Sequence, residues 1–306
     1  MQKYELTETV KMFFGKTLYQ IRATSTFGDV KAGDLDGFIE STDNLSQDGS
    51  AWVYGKARVY GNACVYGDAQ VSGNACVYGN ACVYGDAQVS GDAQVFGNAR
   101  VSGDAQVFGS ARVFDSARVS DSAWVYGKAR VSGDACVSGD ACVFGDAQVF
   151  GRARVYGDAQ VFGDAQVFGN AQVFGNARVF DNACVSGNAW VSVDAQVFGN
   201  AEVFGDAEVS VDAQVFGNAC VFGNTCVFGD AKILSSNHYL TIGVIGSRDE
   251  YTAFYKNVDD GISVSCGCFS GTISEFEAAV RERHGDNKHA RVYAAAIALA
   301  KLQLDG

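Results

Sequence analysis

One six-residue phrase, Ala-x-Val-x-Gly-Asp/Asn, repeats thirty times between Ala51 and Asp230 without an insertion or a deletion. The valine slot never changes, and the alanine slot changes once, at Thr225. A period this short and strict dictates an architecture, because one unit cannot bury its valine alone and must stack on its neighbours. Within the unit, Ala in, x out, Val in, x out is the alternation of a short strand, and Gly-Asp or Gly-Asn supplies a bend. Three strands and three bends close an eighteen-residue triangular coil, so the thirty units give ten coils. At ~4.8 Å between hydrogen-bonded strands they would make a rod of about 48 Å. Proline is absent from the chain, so the bends fall to Gly, Asn and Asp, which tolerate left-handed backbone angles.

Charge and composition exclude several functions. The net charge is −12, of which the repeat carries −8, residues 1–50 carry −3 and the remainder −1. Such a surface repels nucleic acid, whose phosphates supply most of the affinity in those complexes. No apolar stretch approaches the ~18 residues of a membrane span. The N-terminus has acids where a secretion signal needs a basic and then an apolar run. The expectation is a soluble protein of the bacterial cytosol, with no cofactor and no membrane or direct nucleic-acid partner. Eight of the ten cysteines (Cys64, Cys76, Cys82, Cys136, Cys142, Cys184, Cys220 and Cys226) occupy one outward slot directly before the valine. Of these, only Cys64 and Cys82 are eighteen residues apart and stack on adjacent coils, whereas Cys136 and Cys142 fall on different faces. Unpaired surface thiols suit a reducing compartment.

The phrase resembles the hexapeptide repeat of left-handed parallel β-helix proteins, whose signature is an aliphatic residue followed by a small residue four places on, here Val53 and Ala57. The resemblance covers about three-fifths of the chain and implies a mainly-β fold of about ten triangular coils. The left hand comes from that resemblance. The best-known members are acyltransferases that use a histidine, but this repeat contains no histidine and no inserted loop to build a cleft. An acyltransferase therefore ranks third among the functions considered. Ahead of the repeat, the run from Phe27 to Glu40 followed by Asn44-Leu-Ser-Gln47 resembles the lead-in of uncharacterised hexapeptide-repeat proteins of enterobacteria and their prophages, described by similarity as polymer-forming or cytoskeletal. Residues 1–50 are expected to cap the first coil, whose uncovered edge would expose unpaired backbone groups.

After Ile233 the period stops, and residues 234–306 form a separate α+β module following the 51–233 helix. Tyr239–Ile245, Thr252–Tyr255 and Ile262–Cys266 alternate as three strands, with Asp259-Asp260-Gly261 as a turn. Ser274 and Glu277 have the spacing of a capping box for a helix from about Glu275 to His284, ending at Gly285, and Ala290–Leu304 gives a second helix. Gly267–Thr272, Glu275-Phe-Glu277 and His284-Gly285 together resemble a small domain of phage and prophage proteins. The spacing Cys266-x-Cys268, fifteen residues, His284-x₄-His289 approaches that of a Cys₂His₂ zinc site, although one residue between cysteines is shorter than the usual two to four. A buried cysteine pair beneath two surface histidines is the simpler expectation.

Two surface ladders follow from the eighteen-residue coil. One corner of the triangle carries Asp68, Asp86, Asp104, Asp140, Asp158, Asp194, Asp212 and Asp230, broken by Ser122 and Asn176. Like charges stacked at ~4.8 Å repel, so this bias requires a reason: either Asp closes the bend by accepting backbone N–H groups, or the edge binds cations or a basic partner. The slot after the valine forms an aromatic run on one face, Tyr126, Phe144, Phe162, Phe180, Phe198 and Phe216, fit for ring stacking, for contact with a partner, or for both. The sequence thus predicts a non-catalytic scaffold that pairs with itself, as a dimer or trimer, or with a host protein. The alternative is an acidic decoy of a host nucleic-acid-handling or defence protein.

Overall fold

The computed structural model describes residues 2–247, 250–257, 259 and 261–304. The chain divides into two compact units, Met1–Gly163 and Asp164–Gly306. In the first, β1 (Tyr4–Phe13) and β2 (Lys16–Ala23) form an antiparallel hairpin, and β2 pairs antiparallel with β3 (Leu35–Ile39). β3 then runs parallel to the coil strand Arg58–Val59, so the hairpin is continuous with one sheet of the solenoid. Asn44 fastens the same junction. Its buried amide donates to the carbonyls of Gly61 at 2.9 Å and Ala63 at 2.8 Å and accepts from the N–H of Glu40 and Ser41. Trp52 is fully buried against the edges of Tyr4 and Phe27, and its indole N–H donates to Asp36.

From Trp52–Val53 to Gln160–Val161 each phrase yields a two-residue strand, and strands eighteen residues apart pair in parallel, valine on valine. The result is three parallel sheets, with every alanine and valine of these phrases essentially inaccessible. Up to three backbone bonds per phrase join one coil to the next, as where Gln70 N–H donates to Ala87 O, Ser72 to Val89 O and Asn74 to Gly91 O, at 2.8–2.9 Å. The interior is therefore apolar, with its backbone groups paired between coils.

The bend requires glycine for two reasons, as Gly73 illustrates. Its φ is +68°, and a Cβ there would lie 2.9 Å from the carbonyl oxygen of Gly91. Aspartate replaces glycine at Asp115, Asp121 and Asp181 with φ of 58–59°, and each carboxylate accepts an N–H from the next coil (Gly133, Gly139 and Gly199) at 3.1–3.2 Å. The short polar side chain thus offsets the strain it introduces. Val193 and Val211 adopt the same left-handed conformation without that bond, at a cost of about 1–3 kcal/mol each.

The second unit repeats the arrangement from Gln166–Val167 to Lys232–Ile233, as in the register Gln172, Trp190, Glu208, Cys226. A four-stranded antiparallel meander follows: Tyr239–Ile245, Glu250–Lys256, Ile262–Cys266 and Phe269–Thr272. The fourth strand was not legible in the sequence pattern, because its alternation is cut short by glycine. Of the expected turn, Asp259 and Gly261 donate their N–H groups to the Asn257 side chain, while Asp260 lies outside the described residues. Helices α1 (Ile273–His284) and α2 (Lys288–Leu304) cover the sheet around Phe254, Val264, Phe276, Val280, Tyr293 and Ile297.

The cap of α1 sits two residues earlier than the sequence suggested. Thr272 accepts from Glu275 N–H, and Glu275 accepts from Thr272 N–H at 2.8 Å. Thr272-x-x-Glu275 and Ser274-x-x-Glu277 are overlapping boxes. The first is chosen because Glu277 is engaged by Lys301 of α2 at 2.6 Å. Gly285, at φ +53°, ends the helix.

Candidate functional site

The aromatic slot is set by the coil, since residues after equivalent valines lie one rung apart. In the first unit Phe108, Tyr126, Phe144 and Phe162 stack with ring centroids 4.8–4.9 Å apart and planes within 3° of parallel. In the second, Phe180, Phe198 and Phe216 do the same at 4.8 and 4.9 Å. Each of these rings is half-buried, its faces covered by its neighbours and its outer edge exposed. The run in the first unit begins at Phe108, one rung before the sequence-predicted Tyr126. A second ladder, Tyr60, Tyr78, Phe96 and Phe114, stands on another sheet at 4.9–5.1 Å. The eighteen-residue spacing that found the first ladder could have found this one too.

The acidic corner is exposed at all eight aspartates. At Asp68 the corner N–H donates to Gly85 O at 2.9 Å, and at Asp194 to Val211 O at 3.0 Å. Asp68 accepts from Ser50, and Asp194 from the Asn176 amide at 3.0 Å. The carboxylates of Asp86, Asp104, Asp140, Asp158, Asp212 and Asp230 accept no hydrogen bond among the described residues. Elsewhere asparagine makes rung-to-rung ladders, Asn62 to Asn80 to Asn98 at 3.0 and 2.9 Å and Asn182 to Asn200 to Asn218 at 3.2 and 3.1 Å. Ionised aspartates have no donor with which to make such a ladder. Acceptance of a backbone N–H by a carboxylate of this corner is therefore seen at Asp68 alone among the described residues.

The cysteine slot is half-buried, and at Cys76 buried, rather than openly exposed. Burial raises the pKa of Cys76, Cys142, Cys184, Cys220 and Cys226, and pushes Cys64 up to about 12, so these groups are protonated thiols at neutral pH. Cys64 and Cys82 are register partners with their sulfurs 2.8 Å apart.

In the C-terminal module a small cavity of about 210 Å³ gathers Cys266, Cys268 and His284 with Ser247, Arg283 and Tyr293. Cys266 is buried, accepting from Thr252 at 3.2 Å and lying 3.7 Å from the Tyr293 hydroxyl, whereas Cys268 is exposed. The expected buried pair is thus split, because Gly267 and Cys268 form the turn between two strands. The His284 and His289 ring centroids are 5.8 Å apart. Desolvation, with His289 and Arg283 nearby, lowers the pKa of His284 and favours its neutral form. Among the described residues no three His, Cys, Asp or Glu side chains are grouped so as to hold a metal.

Five stretches, residues 57–73, 69–85, 93–109, 147–163 and 171–187, match the family model described as the YdcK β-solenoid repeat. Each stretch starts on an alanine of the phrase and ends on a glycine of the bend, one residue short of a full coil. The chain is a β-solenoid repeat protein. No curated protein matches it. The matched solenoid family indicates no catalytic family, and among the described residues no helix is long and apolar enough to cross a membrane.

Proposed function

We propose that the protein is a non-catalytic scaffold of phage or prophage origin, acting in the bacterial cytosol, whose solenoid is of the left-handed hexapeptide kind. In this reading residues 1–50 cap the coils, residues 51–233 form them, and residues 234–306 are a module that the coils carry. The scaffold associates with further copies of itself through the aromatic face, as a dimer or trimer. The observation that carries the proposal is the stacking of half-buried rings, from Phe108 to Phe162 in one unit and from Phe180 to Phe216 in the other. Stacking covers the ring faces but leaves a row of apolar edges in water, and a second copy would cover them. Replacing Phe162, Phe180 and Phe198 together with Ser keeps the coil, because Ser already fills this slot at Ser72 and Ser90. Light scattering is expected to show monomers for this variant and a larger mass for the parent. An unchanged mass sinks the reading.

A second reading rests on the six aspartates of the acidic corner whose carboxylates accept no hydrogen bond among the described residues: the edge imitates a phosphate backbone and occupies a basic host protein. Binding of that kind weakens steeply with added salt. Replacing Asp140, Asp158, Asp194 and Asp212 with Asn would abolish it without touching the valine core. Capture of the same host protein by parent and variant alike, at low and at high salt, would rule the decoy out.

A further inference from the structure

We propose that one face of the first unit is a binding trough for an acidic saccharide chain. The face is the sheet whose register runs Arg100, Arg118, Cys136, Arg154. Seven of the ten basic residues of the repeat fall between Ala99 and Gly163, in a protein of net charge −12, and three of them are on this sheet. Arg100 and Arg118 are register partners on adjacent rungs, as Arg112 and Arg130 are on another sheet, so what sets this face apart is its arginines together with the floor beside them. All three arginines are exposed, and none forms an ion pair among the described residues.

The floor beside them is equally distinctive. The slot after the valine, elsewhere commonly aromatic, is Ser on three consecutive rungs of this face, Ser102, Ser120 and Ser138, and returns to aromatic at Tyr156. Loss of the rings leaves a trough of about 570 Å³ lined by Arg118, Arg154, Ser138 and Tyr156, with Cys136, Ser116 and Asp134 completing it. Asp134 is the one carboxylate in that lining, and Arg152 occupies the same corner one coil on. Asp115 and Asp121, on the coil of Arg118, are engaged by the N–H groups of Gly133 and Gly139.

Guanidinium groups at rung intervals match carboxylates at similar intervals, and Arg binds them in a bidentate fork. The serine hydroxyls can bond sugar hydroxyls, and Tyr156 closes one end of the trough. An extended pyranose chain advances by about one rung, ~4.8 Å, per residue, so alternate uronates match Arg118 and Arg154, which stand two rungs apart. This combination of hydroxyl floor, aromatic end and spaced arginines favours a polyuronate over a nucleic acid, which needs stacking platforms for successive bases.

The full-length protein is titrated with fluorescently labelled oligogalacturonate of four to six residues, read by anisotropy. The parent is expected to bind it, and to bind a neutral oligosaccharide of equal length at least tenfold more weakly. Arg118→Gln with Arg154→Gln is expected to weaken binding at least tenfold, and Ser138→Phe, which restores the ring used elsewhere in this slot, to block the trough. Arg112→Gln, on another sheet, leaves binding unchanged. Circular dichroism melting identical to the parent establishes that each variant is folded. Absence of oligogalacturonate binding overturns the proposal. So does equal loss with Arg112→Gln, or tighter binding of a single-stranded oligonucleotide that shows the same sensitivity to Arg118 and Arg154.

Discussion

At the scale of single residues, the cap holds an unusual amine. The Lys3 side chain is buried and donates to the carbonyl of Ala51 at 3.0 Å and to those of Asp48 and Gly49 at 3.4 Å. Desolvation outweighs the attraction of Asp48 and Asp68 and pushes its pKa down to about 8 from 10.5. The fold therefore disfavours the charged form. Between about pH 8 and pH 10.5 the unfolded chain binds the extra proton, so the Lys3 contribution to stability rises with pH across that window. Thiols and phenols act in the opposite sense. Cys64, pushed up to about 12, and Tyr4, Tyr60 and Tyr239, each near 12, are held protonated in the fold, so stability falls as pH passes their unfolded values. The Lys3 effect is thus read as a difference: relative to Lys3→Met, the parent should gain melting temperature between pH 8 and pH 10. A gap that stays constant with pH would contradict the buried-amine account. Nothing in the sequence around Lys3 announces this, because its environment comes from residues more than twenty positions away, Phe27 and Asp48 to Ala51.

At the scale of the repeating element, stacking turns a single substitution into a column property. Asparagine at a corner bonds the corner above it, whereas an aspartate above an aspartate contributes repulsion and no bond. Replacing Asp140, Asp158, Asp194 and Asp212 with Asn is therefore expected to raise the melting temperature by a few degrees, about 1 kcal/mol in all, an amount that falls with added salt. A lower melting temperature would show that these carboxylates do hold the bends. The ladder itself was legible from the eighteen-residue spacing. The absence of bonds to most of its carboxylates was not, since that depends on which donors stand beside each corner, as Ser50 does at Asp68 and Asn176 at Asp194.

At the scale of the whole molecule, the question is what ends a solenoid. The first coils are covered by β3 alongside Arg58–Val59 and by Leu45, which bridges to Val65. In the second unit the module meets the last coils where Ala231 bridges to Asn257 and Thr225 bonds Thr241 at 2.8 Å. A covered edge cannot template another strand. The full chain should accordingly form discrete particles in electron micrographs, and deletion of residues 1–50 should produce end-to-end filaments or aggregates. Long filaments of the intact protein would contradict this.

The sequence by itself determined the coil. A six-residue period with invariant valine admits one way to bury the apolar slots, and every residue eighteen positions apart then lies in register, from Cys64 and Cys82 to Phe198 and Phe216. Those are local rules repeated, so they can be read along the chain. The tertiary structure decided what depends on neighbours from elsewhere. It selected Thr272 over Ser274 as the cap of α1, because Lys301 on α2 takes Glu277. It separated Cys266 from Cys268, because strand packing buries one and a turn exposes the other. It opened a trough beside Arg118 and Arg154, because a cavity is the sum of side chains missing from several coils at once.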